Sequence, residues 1–366
     1  MATRKSKKSA AAAPAAAKRQ KSESKSNQSS ETIQPLRVLA IDGGPSALLV
    51  VIMLTELEDA VPGFLENVDV IAGTSSGAIT GLMLATKENP AHMIPTAENF
   101  WLNESDYYKN SLFGYVRALA GVGSINDSMY VQRFLEQRGV LAERTLGDLS
   151  KKVIVTSFEL NPIRQTQGMS GPLNWQPKIF HNLSSDSPDL DVLAVDAALS
   201  SSASPIVTPI YQGRVDGGLV ANNPSMVALS RILREGEYDS HQIVMLSIAG
   251  GRAHESLNVT NESWGYLPWL CNPKNSLLLV NGFLAGSTEA GVLDVSEILD
   301  DSKFFRLDPF YTEPGLLPFV QASPEKQQAQ AMSAGTQEIV QNAARWLQRS
   351  GWMAESESAT SPDAAA

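Results

Sequence analysis

The sequence predicts a three-layer α/β/α fold on a mostly parallel central sheet. Three observations predict it. Short apolar runs of strand length recur through residues 36–351, helix-length segments follow them, and Gly-rich or polar turns close them. The chain has the material for such a core, with 366 residues that are 43% apolar and 19% charged.

Each element has its own reason. Residues 1–35 carry eight Lys/Arg and two Glu with almost no large apolar side chain, so a disordered basic tail is expected there. Leu36–Ile41 is an apolar run entering the turn Asp42-Gly43-Gly44-Pro45, which reads as a buried strand. Ala47–Val61 then reads as a helix stopped by Pro62-Gly63. The theme repeats with a strand at Val68–Ala72 and a small-residue helix at Ser76–Thr86. The aromatic-rich stretch 99–123 reads either as a lid or as a packing helix. Lys152–Ser157 and Gln242–Ala249 are further buried strands, and a short strand precedes Leu307-Asp308-Pro309. Ser323 as cap and Pro324 at the first position open a last helix, read as continuous to Ser350 and closed by Gly351. No repeat and no long linker interrupts 36–351, so one domain is expected, followed by a disordered acidic tail at 352–366.

Charge and composition remove several function classes. The net charge is −10, with +6 on residues 1–35 and −3 on 352–366, so 36–351 carries −13. An acidic body argues against nucleic-acid binding by the core. A single cysteine, Cys271, excludes a disulfide framework and suits a reducing compartment. The longest apolar run, Ala47–Leu54, is far short of a spanning helix, and the basic start leads into Ala, Pro and more Lys instead of a leader's apolar core. A cytoplasmic protein with peripheral contact at membranes is therefore expected. There is no Cys/His cluster, Asp300-Asp301 reads as a helix-end pair, and Gly121-Val122-Gly123 lacks the third glycine of a dinucleotide loop. No metal or cofactor is expected.

The chemistry centres on Gly73-Thr74-Ser75-Ser76-Gly77, a Gly-x-Ser-x-Gly between a predicted strand and a predicted helix. A nucleophile elbow needs that context, because the serine sits on a sharp turn while glycines let strand and helix backbones pass closely. The helix start places unpaired N–H groups and a positive dipole end beside the hydroxyl. Of four histidines, His92 and His181 fall in polar, loop-like segments and His241 precedes its strand, at the wrong end of the sheet. His254 alone could complete a triad. A second base is Asp216, in Val215-Asp216-Gly217-Gly218, read as an exposed turn; a carboxylate can take a serine proton directly only if burial raises its pKa.

The pairing of Gly73-Thr74-Ser75-Ser76-Gly77 with Asp216-Gly217-Gly218 and the earlier Asp42-Gly43-Gly44 turn resembles the patatin-like phospholipases. Lys178–Asn182, Ala197–Pro205, Asp216–Pro224 and Phe304–Leu307 resemble family positions in the same order. The resemblance implies a lipid acyl hydrolase that uses a Ser–Asp dyad and an acyl-enzyme, with Ser75 as nucleophile and Asp216 as base. It also implies a lipid or phospholipid acyl ester as substrate, and oxyanion donors from the first loop.

That loop departs from the family pattern, which is Asp-Gly-Gly-Gly, any residue, a basic residue, then Gly. Read without a gap, Pro45, Ala47 and Leu48 replace the third Gly, the basic residue and the last Gly. With one residue deleted, the third Gly is missing and Ser46 stands at the basic position. Pro45 has no N–H to donate. Gly43, Gly44 and Ser76 remain as oxyanion-hole donors. Two alternatives stay open: a catalytically weakened relative that binds lipid or a partner, and a Ser–Asp–His esterase using His254. Trp264, Tyr266, Leu267, Trp269 and Leu270, with 277–283 following, read either as a lipid-facing surface or as a core-packing loop.

Overall fold

Six consecutive buried residues form strand β1, Leu36–Ile41, and their alternation divides the interior in two. Leu39 and Ile41 belong to one core, while Leu36, Val38 and Ala40 belong to the other. The computed structural model describes residues 34–103, 112–137, 140–160, 174–253, 264–270, 278–311 and 323–353. The chain divides at Gln34–Pro35 into two units, and the second is the one described.

After β1 come α1 (Ala47–Ala60), β2 (Val70–Gly73), α2 (Ser76–Leu84), α3 (Ile94–Leu102), α4 (Leu112–Leu119) and α5 (Met129–Leu135). Then follow β3 (Lys152–Glu159), β4 (Gln176–His181), α6 (Ala194–Ser201), β5 (Arg214–Asp216), α7 (Gly218–Ala221) and α8 (Ser225–Glu235). The remainder is β6 (Ile243–Ile248), β7 (Arg252–Ala253), α9 (Tyr266–Leu270), α10 (Leu278–Ile298), β8 (Phe304–Leu307), β9 (Phe310–Tyr311), α11 (Pro324–Ala331) and α12 (Ala334–Leu347).

The seven-stranded sheet has the order β4-β3-β2-β1-β6-β8, with β5 added beside β3. Strands β3, β2, β1, β6 and β8 run parallel, and β4 and β5 run antiparallel to β3. Helices α1, α2, α3 and α12 fill one face; α8 and the end of α10 fill the other. This is the three-layer α/β/α fold, because parallel strands need helical crossovers that cover both faces of the sheet.

Three readings change. The last helix is two, broken at Met332-Ser333, where the Ser333 hydroxyl accepts from the Thr336 N–H and starts α12. Trp352, placed in the acidic tail by its sequence neighbours, is fully buried against Phe64 and Trp346 and donates its indole N–H to the Phe64 carbonyl. Its own carbonyl accepts from Arg37 Nε at 2.5 Å, so the packed body extends past Gly351. In the aromatic stretch 99–123, Phe100 and Trp101 are core, which is the packing reading; Tyr107 and Tyr108 lie outside the described residues.

Candidate active site

Two strands deliver the site to one point on one edge of β3. β4 pairs with β3 from Ile154 to Glu159. β2 pairs with Lys152–Val155 and β5 with Ser157–Glu159, so both occupy the edge of β3 that β4 leaves free. They approach from opposite directions and end facing each other at Thr156. One ends at Gly73, just before Ser75; the other ends at Asp216. Pairing rules thus bring together residues 141 positions apart. Asp216 closes a strand and is only 8% exposed, which corrects the exposed turn read from its Gly-rich neighbours.

Ser75 has φ 54° and ψ −120°, a conformation that costs a non-glycine residue on the order of 1–3 kcal/mol. The glycines around it make the turn possible. A Cβ on Gly73 would lie 2.6 Å from the Gly77 carbonyl oxygen, and one on Gly77 would lie 2.3 Å from the Ile41 carbonyl oxygen. The Ser75 N–H donates to Ser201 Oγ at 2.8 Å, fixing the turn to the end of α6. The half-buried Ser75 hydroxyl donates to Asp216 Oδ2 at 2.7 Å.

The other oxygen of Asp216 accepts from the Gly218 N–H at 2.7 Å. Burial pushes the Asp216 carboxyl up from 3.8 to about 6; the Gly218 and Ser75 donors pull it back only in part. The group is thus a carboxylate at neutral pH, yet more basic than an exposed one. Gly217 has to be glycine because a Cβ there would lie 2.2 Å from Thr156 Oγ1. Thr156 also shares a 2.7 Å hydrogen bond with Thr74, which in turn donates to the Ala221 carbonyl.

The three oxyanion candidates differ sharply. The Gly43 N–H donates to the Asn222 carbonyl at 3.1 Å. The Gly44 N–H donates to Ser76 Oγ at 3.1 Å, and that hydroxyl donates back to the Gly44 carbonyl at 2.8 Å. Gly44 holds φ +150°, which favours glycine, and is exposed. Among the described residues nothing accepts from the Ser76 N–H, the first of α2. A basic group does stand at this loop, contributed by β8: Arg306 forms a two-pronged pair with Asp42 at 2.6 and 2.7 Å and reaches Asp308 at 3.2 Å. Burial pulls the Arg306 guanidinium down, but Asp42 and Asp308 outweigh it and hold it above its ordinary range.

Sequence reasoning gave no role to Thr156, Ser201, Asn222 or Arg306. Ser201, Asn222 and Arg306 lie inside stretches quoted above, but nothing local marks a hydroxyl or amide whose partner is far along the chain. The histidines divide as follows. His181 ends a strand, not a loop; it pairs across from Ile154, on the β4 side of β3, and is buried. His241 lies in the turn before β6, at the end of the sheet opposite Ser75. His254 lies outside the described residues.

A family model described as patatin-like phospholipase matches residues 39–229, which takes in the Asp42 turn, Ser75 and Asp216. Protein teg of Priestia megaterium is 27% identical over 311 residues, covering 77% of this chain and 92% of that one. Patatin-like protein 2 of Arabidopsis thaliana is 24% identical over 294 residues, 69% of each chain. The cGAMP-activated phospholipase of Escherichia coli is 28% identical over 233 residues, 58% of this chain and 60% of that one.

Proposed function

The chain belongs to the patatin-like phospholipase family, and from that premise we propose that it cleaves acyl esters of lipids with a Ser75–Asp216 dyad through an acyl-enzyme. The observation that carries this reading is the 2.7 Å hydrogen bond from a strained, elbow-held serine to a buried carboxylate whose pKa is raised to about 6. Ser75 Oγ attacks the ester carbonyl carbon as Asp216 Oδ2 takes its proton. The carbonyl oxygen becomes negative beside the Ser76 N–H and the start of α2. As the intermediate collapses, the C–O bond to the alcohol breaks, and Asp216 returns the proton to the leaving oxygen. Water then attacks the acyl-Ser75 ester, again losing its proton to Asp216; as the bond between the acyl carbon and Ser75 Oγ breaks, the acid leaves and Asp216 returns the proton to Ser75 Oγ.

The occupied N–H groups of Gly43 and Gly44 support slow turnover of unactivated phospholipids and faster turnover of activated short-chain esters, which need less oxyanion stabilisation. The test is substitution with a fluorophosphonate probe and a short-chain ester. Ser75→Ala is expected to abolish labelling and turnover. Asp216→Asn keeps an acceptor but cannot take the proton, so kcat should fall by about 10²–10⁴. His254→Asn should change little. Full turnover in Asp216→Asn, or its loss in His254→Asn, overturns the dyad.

A further inference from the structure

Helix α10 does two things at once. Val295, and Leu299 just past its end, anchor its C-terminal half in the core beside α8. About two and three turns toward its start from Val295, on the same inward stripe, Thr288 Oγ1 lies 3.4 Å from Asn222 Nδ2 and Leu284 reaches Gly218, two residues from Asp216. The helix therefore roofs the candidate active site. Its outward side at that point is not polar: Phe283 is 71% exposed. The short helix α9 packs beside it, with Tyr266 86% and Trp269 43% exposed, and Leu219 of α7, three residues past Asp216, is also exposed. Trp264 packs edge-on against Trp269 at 5.4 Å. In a water-soluble surface, a cluster of large apolar side chains around one site marks a contact surface.

Its chemistry narrows the occupant. From residue 263 to 288 the sequence has one charged residue, Lys274, in a chain of net charge −10. Coulomb attraction to an anionic surface therefore has almost nothing to act on here, and the acidic body opposes it. Tyr and Trp suit the boundary between head groups and acyl chains, where one end of the ring is wet and the other dry. We propose that Tyr266, Trp269 and Phe283 form a docking surface for a neutral, zwitterionic lipid bilayer, which sets the roof formed by α10 against the membrane so that acyl chains enter beside Leu284. This rests on the lipid-hydrolase reading for its purpose, but the binding itself does not depend on chemistry at Ser75.

The test is sedimentation of the full-length protein carrying Ser75→Ala with phosphatidylcholine vesicles, so that lipid is not consumed. Binding is expected, weakened at least about tenfold by Tyr266→Ser/Trp269→Ser/Phe283→Ser and unmoved by about 0.5 M NaCl. Thermal unfolding checks the triple variant, and Tyr266→Ser alone, at the most exposed position, should show a smaller loss in the same direction. Equal binding by the triple variant overturns the proposal. So does binding that needs phosphatidylserine and vanishes in salt, which would assign it to the basic residues 1–35. A vesicle-indifferent protein whose triple variant elutes as a smaller species overturns it in favour of a second copy. Ester turnover by the Ser75 protein is measured separately: its absence would refute the dyad and leave the vesicle result standing.

Discussion

Asp216 shows how one residue's surroundings set its chemistry. Two donors keep the carboxylate charged, but burial is the larger effect and brings its pKa to about 6. In the proposed dyad the deprotonated form is the base, so kcat/KM for a short-chain ester should rise with pH through about 6 and level off above it. A profile flat from pH 5 to 8, about a unit or more either side of that value, would show that Asp216 is not the base. Stability runs the other way. The folded state holds its proton more tightly than the unfolded chain, so this group's contribution to stability is lost as pH rises from 3.8 to about 6. As the proposed base, the residue is thus least stabilising where it would be most useful, a common cost of burying such a group.

Between elements, the contact that matters is the clamp between the β1–α1 loop and the first turn of α2. Ser76 Oγ both accepts from the Gly44 N–H and donates to the Gly44 carbonyl. A backbone donor tied to a side chain can be released without moving the fold, whereas Gly43 is tied to backbone at Asn222. Ser76→Ala keeps the Ser76 N–H and frees that of Gly44, which is exposed. The net worth of one such hydrogen bond is about 1 kcal/mol, so kcat for a short-chain ester should rise about fivefold. KM should barely move, because the oxyanion exists only in the transition state. A fall in kcat would mean that the clamp holds the loop in its working position.

At the scale of the whole molecule, the chain closes on itself through Trp352. Its ring fills a fully buried site between Phe64 and Trp346, and its carbonyl holds Arg37 at the start of the sheet. Ending the chain after Gly351 should therefore destabilise the fold by about 3–5 kcal/mol, as removal of a buried Trp does elsewhere, while ending it after Met353 should cost far less. Chemical denaturation of the two truncations decides between them, and equal midpoints would show that this packing does not matter. Among the described residues no helix is long and apolar enough to cross a membrane.

The sequence by itself determined the layers of the fold and marked the two ends of the candidate site. Buried strands such as Leu36–Ile41 are apolar throughout because helices cover both faces, and Gly-x-Ser-x-Gly is legible because backbone crowding at Gly73 and Gly77 admits no side chain. These are local constraints, written within a few residues of where they act. Tertiary structure alone decided that β2 and β5 share one edge of β3, that Asp216 is buried, and that the Gly43 N–H is already spoken for by Asn222. It also decided that Trp352 belongs to the core despite the polar residues after it. Each of these depends on which distant segment arrives beside the residue, and desolvation and hydrogen-bond occupancy are set by that neighbour, not by the residue's own stretch of chain.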